Sequence, residues 1–421
     1  MNIQKFGSLV FTLLLSGCLS AQSINSPYSS NGLGELLFPG LIHNYGAGQV
    51  GIGMPTPWHI NLQNPALLTY NNFSSFQVGL FGDIRQYESS LGTARDNSTS
   101  LRFLAMSFPV VNNRWTSAIS LLPMSVVKYN TFSRQIIPGS TDTTTIVTQY
   151  QGSGGLTQLQ WANGVRLYKT LTIGVKASYI FGTITRESRV RLFNTGFNTN
   201  SVISHFEEVA YSDVNFSIGA SYKARLGELK YLTFGATHNL SRTLDGRSDE
   251  HFERLSLSGQ PLQSESINEN VKTEYTLPNG YGLGISYEYL NKFKVGVDAV
   301  IDSWQSNTEF DAGNVRNTLS LAAGAELIPD NQSINNYFER ATYRLGFSMK
   351  QLPYLENSRE INDFGINFGA SFPVSGYSSL DAALKFGRRG TTQDNLILEN
   401  YFQLSIGATI NDRWFRKIRY D

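Results

Sequence analysis

Cysteine is almost missing from this chain: Cys18 is the only one in 421 residues. That excludes a disulfide framework and a cysteine-based metal site. An excess of charge of either sign is missing too. With 34 Lys+Arg against 33 Asp+Glu the formal net charge is +1, and the basic residues are scattered without a stripe, so the sequence makes no case for a nucleic-acid partner. Beyond the first 21 residues no run approaches roughly 18 consecutive apolar residues, which excludes helical membrane spans. Catalytic signatures are absent as well. His43, His59, His205, His238 and His251 fall in no metal-pair spacing, and HExxH, GxSxG and P-loop sequences do not occur. The expectation is a non-enzyme without a cofactor.

What is present is aromatic and small. The 21 Tyr, 26 Phe and 38 Gly favour strands over helices, because aromatics fit a pleated surface and glycine weakens helices. From residue 73 onward a period of two yields about fourteen candidate strands, most of them near the roughly 9–11 residues that a tilted transmembrane strand needs. Leu171 to Phe181, Val214 to Tyr222, Phe364 to Phe372 and Phe402 to Ile410 are the clearest, and Trp115 to Val127 is a weaker third strand. Short turns such as Asn112-Asn113 and Asn291-Lys292 alternate with long polar excursions over 128–150, 184–212 and 241–278. Short periplasmic turns and long external loops are the pattern of an outer-membrane barrel.

The alternation also says which face points where. In residues 281–304, Tyr281, Leu283, Ile285, Val295, Val297 and Ile301 share one parity, while Lys294, Asp298 and Asp302 share the other. Lys176, Glu326, Arg344, Lys350, Asp381 and Lys385 fall on the charged parity of their own strands. A Lys or Arg on a lipid face costs about 2–4 kcal/mol at the midplane, so the charge-free face is expected to meet lipid. The lumenal parity is rich in glycine (Gly174, Gly219, Gly235, Gly284, Gly324, Gly346), and strand glycine often marks close approach of another backbone. Residues 22–72 lack clean alternation and are the candidate occupant of that lumen.

Lys5 and the apolar run Leu9–Leu15 read as an export signal over 1–21. Leu15-Ser16-Gly17-Cys18 fits a lipobox, making Cys18 a candidate for lipidation, whereas Ala21-Gln22 offers ordinary cleavage. Ordinary cleavage is favoured, since a barrel gains little from an acyl anchor contributing about 0.8 kcal/mol per buried CH₂. The full plan is a signal peptide over 1–21, a plug over 22–72, a transmembrane antiparallel all-β barrel of about fourteen strands over 73–412 and a short periplasmic tail over 413–421.

Residues 46–68, GAGQVGIGMPTPWHINLQNPALL, with Asn64, Pro65 and Ala66 just before the first strand, resemble the N-terminal hatch of the long-chain fatty-acid transporter (FadL-type) outer-membrane barrels. The resemblance implies fourteen strands, a lumenal plug and location in the outer membrane of a Gram-negative bacterium. Pro123 lies in the third candidate strand, where it cannot complete a ladder hydrogen bond. In that family the third strand is kinked and opens a lateral passage, so Pro123 marks the candidate equivalent; a bulge at the external rim is the other reading. The resemblance implies uptake or binding of hydrophobic small molecules through a plugged lumen. The alternative is an accessory or scaffold subunit of an outer-membrane secretion or assembly complex. The corresponding partners are outer-membrane lipid, a hydrophobic ligand and machinery subunits.

Overall fold

The computed structural model describes residues 25–136, 145–193, 201–304, 315–374 and 376–413. The signal segment with Cys18 and residues 414–421 of the expected tail lie outside them. One two-residue strand, β1 (Glu35–Leu36), precedes the barrel. The wall begins with β2 (Ser74–Ser89), β3 (Gly92–Val111) and β4 (Trp115–Pro123). After a two-residue strand β5 (Ser125–Val126) come β6 (Tyr129–Ile136), β7 (Thr145–Arg166), β8 (Leu171–Phe193), β9 (Ser201–Arg225), β10 (Lys230–Asn239) and β11 (Arg242–Ser256). Then follow β12 (Pro261–Leu277), β13 (Asn279–Tyr289), β14 (Phe293–Ser303), β15 (Thr318–Leu327), β16 (Thr342–Glu356), β17 (Arg359–Pro373), β18 (Ser379–Arg389) and β19 (Leu398–Asp412).

These strands make a closed antiparallel barrel of fourteen staves, in which β4 with β6, β10 with β11 and β12 with β13 each form one interrupted stave. β19 pairs with β2 from Leu398↔Glu88 to Asp412↔Ser74, so the sheet has no edge at its ends. The apolar parity faces outward, as the charges required. Leu283 and Val297 are exposed at 66% and 52%, while Lys294 and Asp298 on the other face are at 4% and 3%.

Two expectations are corrected. The excursions over 128–150, 184–212 and 241–278 are mostly strand: β6–β9 run on past the apolar belt, and β11 with β12 stand above it. Water bathes this extension, so polar residues occupy both parities and the period-two signal disappears. The third strand does not run unbroken from Trp115 to Val127. It ends at Pro123, opposite Thr157, and resumes at Tyr129, opposite Gly152.

The intervening β5 is shared between wall and plug. Met124 N–H and Val127 N–H still donate to Leu156 and Gly154 of β7, at 2.8 and 2.9 Å. Ser125 and Val126 pair with Leu36 and Glu35 of β1. Beyond Leu104↔Leu121, β3 pairs only with β2 and β6 only with β7, so the wall is split on that side among the described residues.

Residues 25–73 fill the lumen. A short helix, α1 (Ile42–Gly46), and a 3₁₀ turn (Pro65–Tyr70) anchor them. Leu41, Ile42, Tyr45, Ile60, Leu62 and Leu68 pack into a core completed by Phe81, Phe103, Ala118, Leu122 and Ala162 of the wall. Burying each large apolar side chain stabilises the seated segment by about 1.5–3 kcal/mol.

Candidate functional site at the plug and wall

The Asn-Pro-Ala motif is a fastening. Asn64 Oδ1 accepts from Ala66 N–H at 3.1 Å, capping the 3₁₀ turn, while Nδ2 donates to Ile52 O at 2.9 Å and to the wall carbonyl of Ala220 at 3.1 Å. Pro65 fits the first position of the turn because its N–H is not needed there. Gly219 and Gly174 let the motif come this close: a β-carbon on Gly219 would stand 2.2 Å from Asn64 Oδ1, and one on Gly174 2.4 Å from Ala66 N.

On β14, Asp298 accepts plug N–H groups from Gly51 (2.6 Å), Ile52 (2.7 Å) and, more weakly, Gly53 (3.4 Å). Ser286 donates to Gly53 O at 2.6 Å and Lys294 to Pro55 O at 2.7 Å. Irregular backbone inside a barrel must find partners, since each orphaned buried polar group costs about 1–3 kcal/mol. Wall side chains supply them here.

A buried ionic network holds β1. Glu35 meets Arg389 at 2.7 Å and Arg85 at 3.4 Å. Arg85 also pairs with Glu399 at 2.9 Å and Arg389 with Asp363 at 2.7 Å. Burial alone would raise the Glu35 carboxyl, but Arg389 and Arg85 outweigh it and hold it below the usual carboxylate range.

A second junction joins α1 to the wall. His43 stacks on His59 with ring centroids 4.5 Å apart, and His59 Nε2 lies 3.1 Å from Asp381 Oδ1. Both His43 nitrogens are buried without a hydrogen-bond partner among the described residues. Burial, then the neighbouring His59 and Arg344, push the His43 imidazole well below its ordinary value, so it is neutral. The sequence kept these two histidines apart; a turn of the plug and the stave carrying Asp381 bring them together.

Between the plug turn Leu36–Pro39 and staves β7–β16 lies a cavity of about 300 Å³. Leu36, Leu37, Phe38, Met124, Leu277 and Trp304 give it one apolar wall, and Gln158, Lys176, Ser178, Ser217 and Asn239 give it a polar one. Sequence reading placed Lys176 on the lumenal face but had no means of showing this cavity, because it is formed by register across several staves. Pro123 neighbours it through Met124, at the break in the third stave. Among the described residues no cluster of three or more His, Cys, Asp or Glu could hold a metal ion.

The closed fourteen-stave antiparallel barrel, apolar on its outer face and charged on its inner one, defines the class by fold: it is the fold of the FadL-type barrels. Residues 2–421 match the BamG family, and the chain belongs to it. Among solved structures, a Pseudomonas aeruginosa FadL homologue aligns at a TM-score of 0.57 and 12% identity, covering 89% of this chain and 98% of that one. The Ralstonia pickettii toluene transporter TbuX gives 0.56 and 12%, covering 89% and 99%. The CymD monoaromatic hydrocarbon channel gives 0.55 and 14%, covering 90% and 99%. No curated protein matches this chain.

Proposed function

We propose that this chain is a non-enzymatic accessory subunit of an outer-membrane machine for protein secretion or assembly, in which the barrel serves as a rigid, membrane-embedded body. The observation that carries this reading is the seating of the plug on several sides at once: Asn64 on Ala220, Asp298 on Gly51 and Ile52, and Glu35 on Arg389 and Arg85. Passage through the lumen would require these contacts to break together, stranding charges in the interior, and losing one partner of a buried ion pair alone costs about 3–5 kcal/mol. The polar strands that rise above the apolar belt supply docking area on the external side.

In this reading residues 1–21 are the export signal, 22–72 the plug and 413–421 a periplasmic tail, with Cys18 removed at maturation. The test is to purify the tagged protein from its native outer membrane in mild detergent and to identify what accompanies it by mass spectrometry. Stoichiometric protein partners are expected. A lone barrel carrying a small apolar molecule would sink the proposal.

The cavity favours a second reading, binding or uptake of a hydrophobic small molecule. Its apolar wall lies beside the break at Pro123, which would then be a lateral mouth toward the membrane. TbuX is a toluene transporter and CymD a monoaromatic hydrocarbon channel.

A further inference from the structure

The polar wall of the cavity is too well furnished for a bare hydrocarbon. Cross-strand register sets Gln160, Ser178 and Asn215 in one row across β7, β8 and β9. The next row holds Lys176, Ser217 and Asn239 across β8, β9 and β10, and Thr237 follows one step further along β10. Directly opposed residues share a face of the sheet, so these side chains line the cavity together. Gln160 is occupied, donating to Gln158 at 3.0 Å and accepting from Ser120 at 3.2 Å. Ser178, Ser217, Thr237 and Asn239 form no side-chain hydrogen bond with the described residues, although all four face the cavity.

The charge is equally lopsided. Lys176 Nζ donates to Leu62 O at 3.1 Å and has no carboxylate partner among the described residues. Two acids line the same space, but neither serves Lys176. Asp298 is taken up by the plug N–H groups of Gly51 and Ile52, and Asp302 has Lys350 as its cationic neighbour. Lys350 in turn holds Leu36 O at 2.9 Å.

We propose that this cavity binds an amphiphile whose head group carries several hydroxyls and one anionic group, with the head on Lys176, Ser178, Ser217, Thr237 and Asn239 and the apolar part against Phe38 and Met124. Hydroxyls both donate and accept, which matches serine, threonine and asparagine side chains that face open space. An anion opposite a buried, acid-free ammonium makes a charge-assisted hydrogen bond, whereas an alkane or arene would offer no partner to Ser178, Ser217, Thr237 and Asn239. The volume suits a head group with a short tail, at the lower end of ligand pockets. This proposal rests on the second reading above, that a small molecule occupies the cavity, and specifies its chemistry. The head could reach the site on a membrane glycolipid or as a free sugar acid.

The test uses the full mature chain in lipid nanodiscs, titrated calorimetrically with hexyl glucuronide, hexyl glucoside, free glucuronate and toluene. Hexyl glucuronide should bind best, exceeding hexyl glucoside by about tenfold or more, the usual worth of a hydrogen bond to a charged group. Lys176→Met and Lys176→Gln should each bring hexyl glucuronide affinity down to about that of hexyl glucoside. Ser217→Ala with Thr237→Val should weaken both glycosides. Free glucuronate equal to hexyl glucuronide would support a soluble source, and tight binding only with the tail a lipid source. Toluene binding as well as any glycoside would overturn the proposal and leave the second reading standing. If no probe binds, both fall.

Discussion

Gly235 of the wall lies so close to Ile52 of the plug that a β-carbon on it would stand 1.9 Å from the Ile52 carbonyl oxygen. The neighbour is backbone, held from its other side by Asn64 Nδ2, and cannot yield as a flexible side chain would. Gly235→Val is therefore expected to leave the barrel assembled and the plug badly seated, destabilising it by at least the ~1–3 kcal/mol typical of overpacking. Thermal melting and chymotrypsin sensitivity of the plug segment before β2, which carries Tyr28, Phe38, Tyr45 and Trp58 but no Lys or Arg, would report it. Gly82→Ala is the control, since its nearest atom would be 3.9 Å away; an equal loss there would refute the argument.

Asp298 is the wall's main acceptor for plug backbone. Asp298→Ala strands the Gly51 and Ile52 N–H groups, at about 1–3 kcal/mol each. In planar bilayers the variant should show transient conductance steps more often than the wild type. Unchanged recordings would mean that the other fastenings suffice.

Glu35 gives a pH dependence whose sign follows from its depressed folded-state carboxyl. The stabilisation is fully present above the unfolded value, about 4.3, and is lost as pH falls through the lower folded value. Glu35→Gln should thus melt earlier than wild type at pH 7, with the gap closing progressively below about pH 4. A gap constant with pH would rule out the ion pairs as its cause.

His43 sets a second, milder window. Its folded value lies well below the ordinary 6.5, through burial first and then His59, Arg344 and Lys294, with Asp381 opposing them. The native state therefore prefers the neutral ring, and stability is complete above about pH 6.5 and declines as pH falls below it. Protection of the plug from protease should weaken between pH 7.5 and 5, and His43→Phe, which keeps a ring on His59, should flatten that change.

Much of the barrel could be read directly from the chain, because lipid enforces the alternation seen at Tyr281–Ile301: one parity must be free of charge. The same rule failed for β11 and β12, where Asp245, Arg247, Asp249 and Glu253 stand in water and neither face is compelled to be apolar. Lumenal glycines such as Gly235 and Gly324 announced a close neighbour but not which one. The site was less legible. Asn64, Pro65 and Ala66 were found through a motif, and Pro123 through its missing donor. The His43–His59 stack and the grouping of Lys176 with Ser217 and Asn239 depend on chain segments that meet only through register. Nothing local in the sequence encodes such meetings.

The first and last strands of the wall, β2 and β19, zip together around residues that come before both in the chain. Glycines at Gly219, Gly235, Gly324 and Gly346 are the clearance through which those residues fit, and it is a fit without slack. A finished barrel offers no route by which α1 and the Asn64 turn could be threaded in afterwards. The N-terminal segment must therefore be gathered inside the curling sheet before the final pair of strands meets, so that the last step of biogenesis is a cylinder closing on a cargo it already holds.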